Sequence, residues 1–208
     1  HAFAEAVALN VDSDVARLKI MDAYQEILAA PTWLRSHRLD TWRTVLDRTK
    51  MWIETHRHIF EQVGVEVEAE VTIAEGMKLR GRIDRLEKTM DGDYHIVDFK
   101  SGTNHPSEKT IADHIQLLTY QLILHHGAFD GTKIRTARST ESGMTVDGAT
   151  LVYPEKDTKK IWSITQAAKT EEQLAEFENQ LPDLLQALRG PELQAQRNPR
   201  CATCKLKP

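Results

Sequence analysis

The chain has 208 residues, a formal net charge of -4, 40% hydrophobic residues and 28% charged residues. These values suit a globular protein with one sizeable core, and they exclude a protein that holds nucleic acid by overall positive charge, leaving only a local basic channel. No apolar run approaches a membrane span and no signal peptide is visible. The two cysteines, Cys201 and Cys204, exclude a disulfide framework, so a reducing cytoplasm is the expectation.

Residues 1–30 read as helical, with Leu18, Met21, Ile27 and Leu28 at helical spacing, until Pro31 breaks the pattern. A second helix is expected from Asp40, as N-cap, to Val63, with Gly64 as its stop. Its apolar face is Trp42, Leu46, Ile53 and Phe60, completed by Thr49 and His56. The period then drops to two. Val65, Val67, Ala69, Val71 and Ile73 alternate with Glu66, Glu68, Glu70 and Thr72, which predicts a half-buried strand. Glu75-Gly76 marks a turn, 77–90 a second strand, Asp91-Gly92 a hairpin turn and 93–100 a third strand. Together they form an antiparallel meander.

A helix is expected from Ser107 to His126, with Ile111, Ile115, Leu118, Leu122 and His125 on one stripe and Gly127 ending it. Residues 130–144 read as a mobile loop, 148–155 as a fourth strand and 170–189 as a last helix facing inward through Leu174, Phe177, Leu181, Leu184 and Leu188. Gly190-Pro191 closes it, and the tail has no packing pattern. The order predicts an α/β or α+β core with a mixed sheet flanked by helices. The chain opens at His1 directly in a helical pattern and stops four residues after Cys204, so a fragment of a larger protein is expected.

The chemistry gathers at the ends of two strands. Asp84 lies in "GRIDR"; Asp98 and Lys100 lie in "YHIVDFKSG". Residues two apart on a strand share a face, so Asp98 and Lys100 point the same way. The hairpin brings Asp84 to the same end of the sheet. Two carboxylates repel unless a positive group lies between them. A hard divalent cation such as Mg²⁺ resolves the repulsion, and Lys100 is then placed to orient water or stabilise developing negative charge. The alternative reading of Asp98 and Lys100 is a surface ion pair worth little. Arg80, Arg82 and Arg85 either line a phosphate path or pair with nearby glutamates. Glu70 reads as one of the solvent-facing glutamates. His56, His58, His125 and His126 lack ligand spacing and read as surface or core histidines; Lys156, Lys159 and Lys160 read as a solvated loop.

Asp84 followed by Asp98-Phe-Lys100 resembles the PD-(D/E)XK nuclease superfamily. More narrowly, "GRIDR", "IVDFKSG" and "QLLTY", in that order, resemble the nuclease domain of RecB-type helicase–nucleases, most closely the actinobacterial AdnAB type. The resemblance implies a restriction-endonuclease-like fold, with an N-terminal helical part over 1–64, a nuclease core over 65–190 and a cysteine tail over 191–208. It implies Mg²⁺ or Mn²⁺ held by His1, Asp84, Asp98 and the Phe99 carbonyl, with Lys100 as catalytic lysine. Gln116 and Tyr120, one turn apart on a helix, would buttress the site or contact the nucleic-acid backbone, although Tyr120 also fits a core position beside Leu117 and Leu124.

The implied activity is deoxyribonuclease, exonuclease before sequence-specific endonuclease. The implied partners are single-stranded DNA and a helicase motor in the same chain or a partner subunit, serving double-strand break processing in a bacterial cytoplasm. The alternative is an inactive module of the same fold that guides DNA. Cys201 and Cys204 resemble part of an iron–sulfur staple. A 4Fe-4S cluster needs four thiolates, so it is expected in a parent protein and not in this chain.

Overall fold

A computed structural model describes residues 1–156 and 161–189. The N-terminal helical stretch is two helices, α1 (Ala2–Ala8) and α2 (Ser13–Ile27). Asn10 adopts φ 60° between them, and the Asp12 side chain caps α2 by accepting the N–H groups of Asp14 and Val15, each at 3.0 Å. The helical spacing alone runs through this point, and the left-handed Asn10 together with the cap divides it. The next helix, α3 (Thr32–His56), starts directly after Pro31. Asp40 is therefore inside it, paired with Arg43 at 2.7 Å, and is no N-cap. The helix stops before Phe60, and Gly64 belongs to the first strand.

That strand, β1 (Glu61–Thr72), pairs antiparallel with β2 (Lys78–Lys88), which pairs antiparallel with β3 (Tyr94–Phe99). The meander is as expected. The following helix, α4, spans only Ile115–His126. Residues ahead of it form turns, because the Thr110 hydroxyl bonds the backbone N–H and carbonyl of Ser107 and the buried Gln166 amide donates to the carbonyls of Ile111 and Ala112 at 2.9 and 3.0 Å. Ile111 and Leu122 of the expected stripe are buried, whereas Ile115 is exposed. The stretch after α4 is not all loop: β4 (Gly127–Phe129) and β5 (Lys133–Thr136) form a hairpin. Two more strands come next, β6 (Val146–Tyr153) and β7 (Trp162–Ala167), and then α5 (Glu171–Arg189). Leu174 and Phe177 of α5 are buried, and Leu184 is exposed.

The seven strands run in the order β4-β5-β1-β2-β3-β6-β7. The β1–β5 and β3–β6 pairs are parallel and the others antiparallel, a mixed sheet as the sequence predicts. Strand β3 is central and buried on both faces. Ile96 joins Leu117, Ile123 and Leu124 of α4; Val97 and Phe99 join Trp52 and Ile53 of α3. Each such aliphatic burial contributes roughly 1.5–3 kcal/mol. No helix among the described residues is long and apolar enough to cross a membrane.

Gly127 passes the chain from α4 straight into β4, and a side chain there has no room. A Cβ would stand 2.5 Å from Ile134 Cγ2 and 2.6 Å from the Ile123 carbonyl oxygen. Gly127→Ala is expected to cost about 1–3 kcal/mol in chemical denaturation; an unchanged midpoint would mean that the helix–strand junction relaxes freely.

The segment after β5 is tethered by Arg135, which grips Glu141 at 2.9 and 3.1 Å. The Arg135 hydrogen bond draws the Glu141 carboxyl from its ordinary 4.5 to about 2. The tether therefore operates above pH 4.5 and is lost as pH falls towards 2. Hydrogen exchange at β5 amides is expected to quicken over that window more than the acid dependence of exchange accounts for, and Glu141→Gln should abolish the pH-dependent part.

Candidate active site

The ladder between β2 and β3 runs from Lys88↔Tyr94 to Arg85↔Val97 and stops there. One residue further, the Asp84 side chain takes the place of the backbone: its Oδ2 accepts the Phe99 N–H at 2.7 Å. Glu66 lies on β1 between the pairs Val65↔Arg85 and Val67↔Ile83, level with Asp84. Its φ of 47° distorts the pleat there, a conformation uncommon outside glycine. His1, just ahead of α1, places Nδ1 3.1 Å from Asp84 Oδ1 and 3.5 Å from Glu66 Oε1. One ligand atom from each of His1, Glu66 and Asp84 lies within 4.8 Å of the others.

The second half of the site is built on Gln116, in the first turn of α4. Its Oε1 accepts from Lys100 Nζ at 2.6 Å, and its Nε2 donates to Asp98 Oδ1 at 2.9 Å and to the Tyr120 hydroxyl oxygen at 3.0 Å. Tyr120 then donates to the Arg82 carbonyl at 2.8 Å. An ammonium has only donors and a carboxylate only acceptors, so the amide has one orientation that satisfies both. Lys100 Nζ also lies 2.7 Å from Asp98 Oδ2. Two of its three N–H groups are thereby directed, and one remains for a reacting group. The shared face of Asp98 and Lys100 is thus real, and the pair is no surface ion pair, since the Asp98 side chain is only 4% exposed.

Burial is the main cause that raises the Asp98 carboxyl above its usual range; the Asp84 charge adds to it, and Lys100 and His1 oppose it. His1 is raised to about 9, chiefly by its hydrogen bond to Asp84. Burial raises Tyr120, which keeps its proton and its role as donor. A divalent cation fits these residues. The donor set is one imidazole and carboxylates, which suits hard or borderline divalent ions. Asp98 Oδ2 is buried and meets only the Lys100 ammonium among the described residues, so its second lone pair retains acceptor capacity.

The expected residues converge with differences. His1 and Asp84 meet, and Glu66 joins them although its alternating pattern is that of the solvent-facing glutamates. Asp98 stands beside this trio, turned to Lys100 and Gln116 rather than grouped with it. Phe99 contributes its N–H to Asp84, while its ring packs against Trp52. Tyr120 is both core and site: its ring is buried and its hydroxyl reaches Gln116. Arg85 lines no phosphate path. It is 2% exposed and pairs with Glu87 at 2.5 Å and with Gln62. Arg80 pairs with Glu70, and Arg82 with Glu66 and Glu68. Cys201 and Cys204, like Lys159 and Lys160, lie outside the described residues.

The direction of the His1 shift is set by its partner. Protonated His1 supports the folded site in full below 6.5, and that support is lost as pH rises through about 9. In cation-free protein, an NMR titration of the His1 ring is expected to read about 9, and Asp84→Asn to return it towards 6.5. Ordinary values in both proteins would show that the ring does not rest on Asp84.

A solved structure described as "Crystal structure of SSO0001" is 13% identical over 86% of each chain, with a TM-score of 0.32, a likeness too remote to carry an argument. No curated protein matches the sequence. The sequence model of the PD-(D/E)XK nuclease superfamily, by contrast, matches residues 1–208. That match spans the whole chain, and the chain belongs to the PD-(D/E)XK nuclease superfamily.

Proposed function

We propose that this domain is a Mg²⁺- or Mn²⁺-dependent deoxyribonuclease of the RecB type, related most closely to the AdnAB group. It acts as an exonuclease on a single strand fed by a helicase motor, in the same chain or on a partner subunit, during double-strand break processing and recombinational repair. The observation that carries the nuclease reading is the Gln116 bridge. It holds the Lys100 ammonium and the Asp98 carboxylate together, beside the His1–Glu66–Asp84 trio. The motor and the repair role rest on the motif resemblance alone.

His1, Asp84 and Asp98 are the residues that would hold the cation, with Glu66 within reach. Such an ion, when bound, supplies Lewis-acid polarisation of a phosphoryl oxygen and a more acidic water. The protein's own groups do the rest. Lys100, steered by Gln116, directs its remaining N–H at the attacking water or at the negative charge that develops on phosphorus oxygens. Asp84, fixed by the Phe99 N–H, cannot swing away, so the carboxylate positions are set before substrate arrives. Tyr120 holds Gln116 and ties it to the β2 backbone. The same reading extends to an iron–sulfur staple in a longer parent chain, to which Cys201 and Cys204 would contribute.

The test is degradation of end-labelled single-stranded DNA in Mg²⁺ or Mn²⁺. Wild type is expected to cut, and Asp98→Ala and Lys100→Ala to lose about 10²- to 10³-fold in rate. Equal rates in all three proteins would overturn the reading.

A further inference from the structure

A cleft of about 590 Å³ opens beside the site, and the nuclease chemistry makes no use of it. It lies between the segment leading into α4 and the end of β6. Asn104, His105, Asp113, His114, Gln116 and Tyr153 line it. Gln116 is the shared wall: one side of it holds Lys100 and Asp98, and the other faces the cleft. A nucleotide whose phosphate sits at Lys100 would therefore have its neighbour within reach of the cleft.

The walls indicate what enters. His105 lies against Trp162 with ring centroids 3.8 Å apart and against Tyr153 at 6.1 Å. Lys156 Nζ stands over the Trp162 ring at 4.0 Å. Of this cluster His105 and Tyr153 line the cleft, while Trp162 and Lys156 are not on its lining and hold His105 in place. Asp113, also on the lining, disfavours a phosphate inside the cleft and accepts N–H groups instead. His114 Nδ1 is buried without a hydrogen-bond partner among the described residues. A planar, neutral occupant with edge donors and acceptors matches these walls; a phosphate does not.

The cleft is built rather than incidental. Gly102 N–H is held by Glu155 Oε2 at 2.8 Å at one end of the lining segment. At the other end the Gln166 amide holds the Ile111 and Ala112 carbonyls, and Gln166 is itself held by Gln121 at 2.8 Å. Both glutamines are almost fully buried.

We propose that this cleft seats one unpaired nucleobase of the substrate strand, adjacent to the phosphate at Lys100. The proposal rests on the nuclease reading for its substrate class. Base stacking against aromatic side chains is tolerant of sequence, so the cleft selects for an unpaired base and not for a particular one. A base inside a duplex has to leave its stack before it can enter.

The test walks a single abasic residue along a short fluorescent oligothymidylate. Binding is read by anisotropy in EDTA, and cleavage separately in Mn²⁺. Wild type is expected to lose about tenfold in affinity when the abasic residue occupies one particular position. His105→Ala and His114→Ala should each weaken binding of the intact strand and reduce that positional penalty, with circular dichroism confirming that they fold. A flat profile in wild type, or a penalty unchanged in both folded variants, overturns the cleft. A positional binding penalty in a protein that cuts no strand would support the cleft and remove the nuclease reading, so the two failures are separable.

Discussion

The pairing of β2 with β3 ends one residue before the chemistry begins, and the Asp84 carboxylate closes the gap. A buried N–H left without a partner costs about 1–3 kcal/mol. Asp84 meets the Phe99 N–H, and in doing so is fixed close to Asp98. That placement creates a second problem, two carboxylates with little solvent, since the Asp84 side chain is 10% exposed and the Asp98 side chain 4%. The fold answers it from opposite sides: His1 lies on Asp84, and Lys100 on Asp98. Each cation needs its own support. Helix α1 carries His1 in, and Gln116 of α4 steers Lys100. The helices on both faces of the sheet are thus committed to one strand end.

The opposite face of the same strands is polar as well as apolar. Arg85 and Glu87 form a buried ion pair with Gln62 beside it. His95, on β3, reaches Asp147 at 2.9 Å and Thr150 at 2.8 Å. Trp52, His56 and Phe60 stack towards His95 along the end of α3. Buried pairs of this kind contribute little net stability, but losing one member is costly. Their effect here is on register. A one-residue slip of β2 against β3 would move Arg85 and Glu87 into the α4 core and take Asp84 out of reach of Phe99. The polar network behind the sheet therefore holds in place the geometry in front of it.

The legible part of the site is the part that local periodicity dictates. The DG turn pairs β2 with β3, alternation puts Asp98 and Lys100 on one face, and helical spacing puts Gln116 beside Tyr120. Each of these is local and survives folding unchanged. The rest depends on contacts between distant segments. Asn10 ends one helical stretch in a left-handed conformation and the Asp12 carboxylate starts the next, a signal visible in "VDSD" but outweighed by the apolar spacing around it. Helix α4 starts late because a glutamine fifty residues onward captures the carbonyls ahead of it. Strand β5 carries one buried apolar residue, Ile134, too little for a periodic signal. In sequence Glu66 looks like its neighbours Glu68 and Glu70; only its left-handed backbone at the level of Asp84 sets it apart.

The charge balance of the sheet surface bears on how a strand is held. Lys78, Arg80 and Arg82 project from β2, yet each is matched by Glu66, Glu68 or Glu70 on β1. The cations that a basic track would need are neutralised in place, on a chain whose net charge is already -4. Long-range attraction of phosphates, which dominates most nucleic-acid binding and weakens with salt, has little to draw on here. On this face of the described sheet, affinity for a strand would then rest on short-range contacts at the site itself. The arrangement around Gln116 places two different surfaces on either side of one residue: the Lys100–Asp98 pair, where the proposed phosphate would sit, and the cleft proposed for a base. On the proposed nuclease reading, a strand at such a site would be selected by whether its bases are free, and the same amide that steers Lys100 borders the surface that would make the selection.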